Sequence, residues 1–368
     1  MATSGSPDLT LFVVTLALLS IGVVMVFSAS SVRAYEYYRD SYYFLKRQLL
    51  WSVVGVIAMM IAMRIDYRRL KELATPILVV SIALLVIVLI PGVGILISGS
   101  RRWLGVRNVF TFQPSEVAKL AMIIFLSAHL SRNPGEVRSL LRGIVPVLAL
   151  LGLVFGLIML EPDLGTAVSI VGVTFIMLFA AGASMYHLIG LVILGMPLFI
   201  AAVFAEEYRK RRFLAFLNPW ADPLGSGFHI IQSLLALGSG GLFGFGLGRS
   251  RQKFLYLPEQ HTDFIFAVLG EELGFVGAAT VVFLFFLFAL RGFRIALSTQ
   301  DPFASLLASG ITSMVIFQAV INIGVVSGIL PITGIPLPLV SFGGSSLVVT
   351  LASIGLLLNI SKHVRGRL

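Results

Sequence analysis

Long apolar runs with few charges or none alternate along this chain with short clusters of Lys, Arg, Asp and Glu. Ten such runs stand near residues 9–29, 48–63, 73–97, 114–131, 143–160, 165–182, 187–204, 264–290, 304–327 and 344–360. Most have the roughly 17–25 residues with which a helix crosses a bilayer. The pattern predicts an all-α, polytopic integral membrane protein of about ten transmembrane helices, forming a single transmembrane domain over 1–368. One long loop, 205–263, stands before the eighth span. Residues 1–8 carry no Lys or Arg and the first apolar run continues to Val32, so the first span reads as a retained helix rather than a cleaved signal peptide.

Composition narrows the classes. Of 368 residues, 58% are hydrophobic and 12% charged, with mean hydropathy +0.99. A soluble domain carries roughly 25% charged residues, so a large soluble domain at either end is excluded. The lack of cysteine rules out a disulfide framework, a thiolate nucleophile and a Cys-ligated metal, and five scattered His residues form no cluster. The net charge of +10 does not mark a nucleic-acid surface; in a membrane protein the placement of the cations matters more than their sum. An even span count puts both termini on one side. The loops of that side hold 12 cations against 14 on the other, of which seven lie in 205–263. Long segments translocate largely regardless of charge, so the remaining bias puts both termini in the cytoplasm and 205–263 outside.

Those seven outward cations are Arg209, Lys210, Arg211, Arg212, Arg249, Arg251 and Lys253. They either meet lipid headgroups or hold an anionic ligand such as a phosphate or pyrophosphate. A loop this long inside a compact membrane protein is usually functional. It holds a Pro/Asp turn at 218–223, an apolar stretch at 228–237, and glycines at 238, 240, 241, 244, 246 and 248. Such glycines allow close approach to a ligand or another helix, or form a flexible hairpin.

Ionisable groups at membrane depth are costly, so the few present are functional candidates. Glu116 and Lys119 share a helix face at i,i+3; they neutralise each other, line a polar cavity, or do both. Asp163 stands where it would cap the following helix. Asp263 lies where the basic loop meets the eighth span, and capping of that span by Thr262 or Asp263 is one role open to it. The other is chemical, because a carboxylate half out of water has a raised pKa that nearby cations oppose. Such a group can take a proton from a hydroxyl beside an anionic leaving group. Glu271 and Glu272, about 12 Å further along that helix, need partners or protonation. Gln318 and Asn322 share a face of the ninth span and Asn359 lies in the last, where interhelical hydrogen bonds account for them. Residues 330–346 are too rich in Pro and Gly for a helix, and irregular backbone at this depth must line protein or a water-filled cavity.

Four motifs in order then resemble the SEDS family (shape, elongation, division and sporulation), bacterial polymerases of the cell-wall glycan, over nearly the whole chain. They are Arg102-Trp103 with Gln113-Pro114-Ser115-Glu116-x-x-Lys119; Pro162-Asp163-Leu164-Gly165-Thr166; Pro258-Glu259-x-His261-Thr262-Asp263-Phe264; and Gly334-Ile335-Pro336-Leu337-Pro338 to Gly343-Gly344-Ser345-Ser346. The stretches Asn218-Pro219-Trp220-Ala221-Asp222-Pro223 and Gln252-Lys253-x-x-Tyr256-Leu257-Pro258-Glu259 look more like the division and sporulation branch (FtsW, SpoVE) than the elongation branch (RodA). Glu161 stands where the family often has Gln.

The resemblance implies a peptidoglycan glycosyltransferase that polymerises lipid II, a disaccharide-pentapeptide on a polyprenyl pyrophosphate. The reaction would take place at the outer face of the bacterial cytoplasmic membrane, for division or sporulation. It implies Asp263 as general base, Arg102, Arg212 and Lys253 on the pyrophosphate, and Trp103 stacked on sugar or lipid. Glu116, Lys119 and Asp163 would shape the cavity, with His261 among the substrate-binding residues. It also implies a growing glycan strand, a class B penicillin-binding protein as transpeptidase partner, and divisome or sporulation proteins as neighbours. A divalent cation, Mg2+ or Mn2+, would share the charge neutralisation, although no carboxylate cluster marks its site. The rivals are a flippase of the lipid-linked precursor and a non-catalytic scaffold. A transporter needs polar groups near the midplane, which only Glu271, Glu272 and Lys119 approach, and a scaffold would not depend on Asp263.

Overall fold

The computed structural model describes residues 5–97, 100–106, 110–132, 134–250 and 258–364. Three long helices open the chain: α1 (Leu9–Tyr38), α2 (Tyr43–Ala62) and α3 (Tyr67–Leu89). A small antiparallel sheet follows, β1 (Ile95–Ile97), β2 (Ser100–Val106) and β3 (Phe110–Phe112), in the order β1-β2-β3. Next come α4 (Pro114–Arg132), α5 (Val145–Leu160), α6 (Leu164–Ala180) and α7 (Met185–Phe204), then the short α8 (Glu207–Leu217) and α9 (Phe228–Ser239). The chain ends with α10 (Ile265–Ser298), α11 (Pro302–Val326) and α12 (Gly344–Ser361). Each of the ten predicted spans overlaps one of these helices. By length and composition eight described helices can cross a membrane: α1, α2, α3, Leu140–Leu160 (α5 with the π-helical turn before it), α7, α10, α11 and α12. Outside that set fall α6, with 17 residues, and α4, which carries Glu116, Lys119, His129 and Arg132.

Two expectations are corrected. The third span was placed over 73–97, but α3 stops at Leu89, because Pro91 has no N–H to donate and Gly92 takes φ +90. The apolar residues beyond it pair as β1, with Leu96 opposite Arg101. The segment 205–263, read as a loop, contains α8 and α9. An i,i+4 pair, Arg211 with Glu207 at 3.3 Å, supports α8, and α9 buries Ile230, Ile231 and Ala236.

The core centres on α11 and α12, buried nearly all round, whereas α7 buries only Leu188 and Val203. A kink interrupts α10 at Gly274 (φ 67, ψ −166), a backbone state open to glycine. Freed backbone groups at this depth need partners, and the glycine run supplies them. Phe275 and Val276 donate to the carbonyls of Gly241 and Leu242, and Phe245 and Gly246 donate to those of Glu271 and Glu272. The run thus packs against another helix. Glu271 and Glu272 are fully buried and find partners in Ser250, Ser28 and the Ser250 amide. At the far end of α10, Asp8 caps α1 through Leu11 N, its carboxylate meets Arg291 at 2.7 Å, and its own N–H donates to Ser361 Oγ at 3.0 Å.

Candidate active site

At the other end of the bundle, β2, α4, α6, the start of α10, α11 and the irregular segment before α12 enclose a cavity of about 550 Å³. It is lined by Arg102, Trp103, Gln113, Glu116, Lys119, Asp163, Thr166, Ser169, Glu259, Thr262, Asp263 and Gln318, together with residues 334–336, 342, 343 and 346. A second cavity, of about 380 Å³, is walled by Tyr208, Arg211 and Arg212 of α8, by Asp222, Gly225, Ser226, His229, Phe264 and Ile332, and again by Glu259 and Asp263. Glu259 and Asp263 are therefore common to both.

The backbone around Asp263 is fastened from several directions. Asn322 Nδ2 on α11 donates to the Asp263 carbonyl and to that of Ile335, each at 2.8 Å. Ser341 Oγ donates to Thr262 O at 2.6 Å and accepts from Leu337 N, and Phe342 N donates to His261 O. These bonds also satisfy the broken segment 330–343, as its position beside a cavity requires. Neither Thr262 nor Asp263 caps α10: Phe264 is the N-cap residue and has no side-chain cap bond, while Thr262 Oγ1 turns to Glu259. Among the described residues the Asp263 carboxylate makes no hydrogen bond. Burial pushes it up to about 6, the Glu259 and Asp163 charges add to the shift, and Arg212 and Arg102 oppose it.

The other predicted residues divide by what they touch. Glu116 and Lys119 both pair, at 2.9 Å with side chains 6% and 5% exposed, and line the larger cavity. Asp163 caps α6 through Thr166 N, and its Oδ2 accepts from Thr166 Oγ1 and Gln113 Nε2, both at 2.9 Å. Arg102 lines the same cavity, but its guanidinium donates to the carbonyls of Glu161 and Pro162, bracing the turn that presents Asp163. Trp103 lines that cavity and Arg212 the smaller one. His261 lies in neither. It is buried between Phe44 and Phe342, with ring centroids at 4.4 and 5.7 Å, and burial lowers its pKa to about 4. The expected substrate contact has no cavity lining behind it among the described residues; the ring packs against these two aromatic side chains. Lys253 lies outside the described residues. Among those residues no group of three or more His, Asp or Glu side chains converges, so they do not form a protein-only site for the expected divalent cation.

Sequence reasoning missed Glu259 and Glu161. Glu259 pairs with Arg33 at 3.4 Å and joins the wall between the cavities; its adjacency to the Asp263 motif was the available signal. Glu161 is fully buried, both carboxylate oxygens lack hydrogen-bond partners among the described residues, and burial, with Asp163 adding to it, pushes it up to about 8. At neutral pH it therefore stays largely protonated, and so uncharged in its buried site.

The family model for the FtsW, RodA and SpoVE proteins, described as "Cell cycle protein", matches residues 9–366. Stage V sporulation protein E of Bacillus subtilis is 51% identical over 360 residues, covering 98% of both chains. A probable peptidoglycan glycosyltransferase FtsW of Geobacter metallireducens is 46% identical over 359 residues, 98% of this chain and 96% of that one. Among solved structures, a chain of a peptidoglycan synthase complex superposes with TM-score 0.80 at 34% identity, over 97% of this chain and 98% of that one. Rod shape determining protein RodA of Thermus thermophilus does so with TM-score 0.72 at 32% identity, over 98% of each chain. On the match over nearly its whole length, this multi-pass membrane chain belongs to the FtsW/RodA/SpoVE family.

Proposed function

We propose that the protein is a peptidoglycan glycosyltransferase that polymerises lipid II at the outer face of the cytoplasmic membrane, with both termini cytoplasmic, for division or sporulation. The observation that carries this reading is Asp263, an uncapped carboxylate with a raised pKa on the wall between two polar cavities. An acceptor hydroxyl oxygen bonds to the donor's anomeric carbon as the bond from that carbon to the pyrophosphate oxygen breaks. The electron pair leaves with the pyrophosphate and the hydroxyl proton passes to Asp263. Its pKa near neutrality suits a base that must be ionised yet strong enough to accept that proton. The peptidoglycan synthase complex among the similar structures supports a transpeptidase partner, a class B penicillin-binding protein. Concentration of the polar side chains at one end of the bundle favours catalysis over flipping of the precursor.

The test is polymerisation of purified lipid II by the purified protein with its transpeptidase partner. Asp263→Asn should give no glycan while keeping partner binding. Near-normal polymer from that variant would remove Asp263 from the role of base, and wild-type translocation of lipid II without polymerisation would replace the reading by transport.

A further inference from the structure

The helical ladder of α10 opens with Ala267 and Val268 donating to Phe264 O, so the three carbonyls before it, those of His261, Thr262 and Asp263, lie outside it. A buried carbonyl without a donor is costly, and each of the three takes one from across the bundle. Phe342 N donates to His261 O at 2.9 Å, Ser341 Oγ to Thr262 O at 2.6 Å and Asn322 Nδ2 to Asp263 O at 2.8 Å. Local turns hold only the amides: Thr262 N and Phe264 N both donate to Glu259 O. The backbone that carries Asp263 is thereby fixed by α11 and the broken segment rather than by its own helix.

Asn322 does more than the other two. Its amide spends one hydrogen bond on Asp263 O and the other on Ile335 O, and so ties the start of α10 to the broken segment. Both partners are carbonyls, which only accept, so the amide nitrogen must face them. Ile335 follows Gly334, which takes φ +76, and a β-carbon at Gly334 would stand 3.6 Å from Asp263 Oδ2. The carboxylate therefore lies against the strip of backbone that the same amide holds. Asn322 is 1% exposed and lines neither cavity, whereas Gln318, one turn earlier on α11, lines the larger one. Asn322 is thus not placed to touch a bound molecule, and it reaches the cavities only through Asp263 and residues 334–335.

We infer that Asn322, assisted by Ser341, is a positioning residue for the proton transfer: its two hydrogen bonds set where the Asp263 carboxylate stands relative to the attacking hydroxyl. The inference rests on the glycosyltransferase reading with Asp263 as base, and adds to it the side chains that aim that base. Reacting atoms must lie about 3–3.5 Å apart, and a misplacement of about 1 Å costs about a hundredfold in rate. Loss of the Asn322 amide should therefore be felt in the chemical step and spare the binding of lipid II. It should also let the Asp263 carboxyl turn towards water, which lowers its pKa towards the ordinary value. The charges that act on it, Glu259 and Asp163 against Arg212 and Arg102, are left in place, so a moved titration reports a moved carboxyl.

The experiment measures kcat, KM and the pH profile of lipid II polymerisation by the full-length protein with its transpeptidase partner. The variant is Asn322→Leu, which keeps the branched shape and loses the donors. Asn359→Leu is the control, because Asn359 Nδ2 makes a like bond to Met63 O, at 2.7 Å, at the opposite end of the bundle. Both variants lose a buried amide and should unfold earlier in detergent. Asn322→Leu should lower kcat at least about tenfold, leave KM within about twofold and move the acid limb to lower pH. Asn359→Leu should keep the kcat and the acid limb of the wild type. If Asn322→Leu does not fold, Ser341→Ala gives the reading, with a smaller loss of kcat and the same direction of the limb. An unmoved acid limb, a defect confined to KM, or the same shift in Asn359→Leu overturns the assignment. Asp263→Asn is measured alongside. Polymer from that variant defeats the reading of Asp263 as base, whereas an inactive Asp263→Asn with a fully active Asn322→Leu defeats only the positioning role.

Discussion

Asp263→Asn should stabilise the protein while it silences it. The folded carboxyl titrates at about 6 against an ordinary 3.8, chiefly because it is buried and next because Glu259 is near. The folded value lies above the unfolded one, so the folded state keeps its proton longer. Ionisation then costs stability progressively as pH rises from about 4 through about 6. At neutral pH a shift of about 2 units corresponds to about 3 kcal/mol, at about 1.4 kcal/mol per unit. The amide has nearly the same shape and never ionises, so the variant escapes this cost. Repacking effects of the substitution do not depend on pH, which makes the slope the cleaner readout. The stability of the variant minus that of the wild type should widen by about 1.4 kcal/mol between about pH 5 and about pH 8. The assay is unfolding of both purified proteins in one detergent across that window, with polymerisation followed on the same samples. A difference that stays flat or narrows refutes a buried, destabilised carboxylate.

Polymerisation by the wild type should show an acid limb centred near the Asp263 value of about 6. Arg212→Gln should move that limb to higher pH and Glu259→Gln to lower pH; an unmoved midpoint in both would deny the coupling. Glu116→Gln or Lys119→Met alone should cost about 3–5 kcal/mol by leaving a buried charge unpaired, and the double replacement less than either; additive thermal shifts would show that the pair does not interact. Glu161→Gln should keep polymerisation within about twofold near neutrality, because the native side chain is already protonated there. Since Glu161's folded value of about 8 lies above its ordinary 4.5, the wild type should lose stability relative to this variant as pH rises through that interval. A difference independent of pH counts against the protonated side chain.

Helix placement was legible because hydropathy largely dictates it: each of the ten apolar runs overlaps a helix. The end of α3 was obscured because Ile95–Ile97 is as apolar as the helix before it, and only Pro91-Gly92 marked the break. Amphipathic α8 hid behind its charges, with the Glu207–Arg211 spacing as its trace. Asp263 stood out as a carboxylate at the head of an apolar run. Its second cavity did not, since α8 and α9 reach it only after folding back, a tertiary event without a local signature. The surroundings of His261 were hidden for a similar reason. A motif histidine beside a candidate base reads as chemistry until Phe44, 217 positions earlier by number, is seen stacked on it. Glu161 showed the converse, since a buried, unpartnered acid is visible only once its surroundings are.

Fastening of α1 through Asp8 imposes an order on assembly. The carboxylate waits for Arg291, 283 residues later, and the backbone amide for Ser361, 353 residues later. At about 5–20 residues per second of synthesis, Arg291 arrives roughly 15–60 s after Asp8. During that interval the carboxylate must remain hydrated, because burying it unpaired is too costly. The first helix to enter the bilayer is therefore completed only after α10 has entered, and its final hydrogen bond waits for the end of α12.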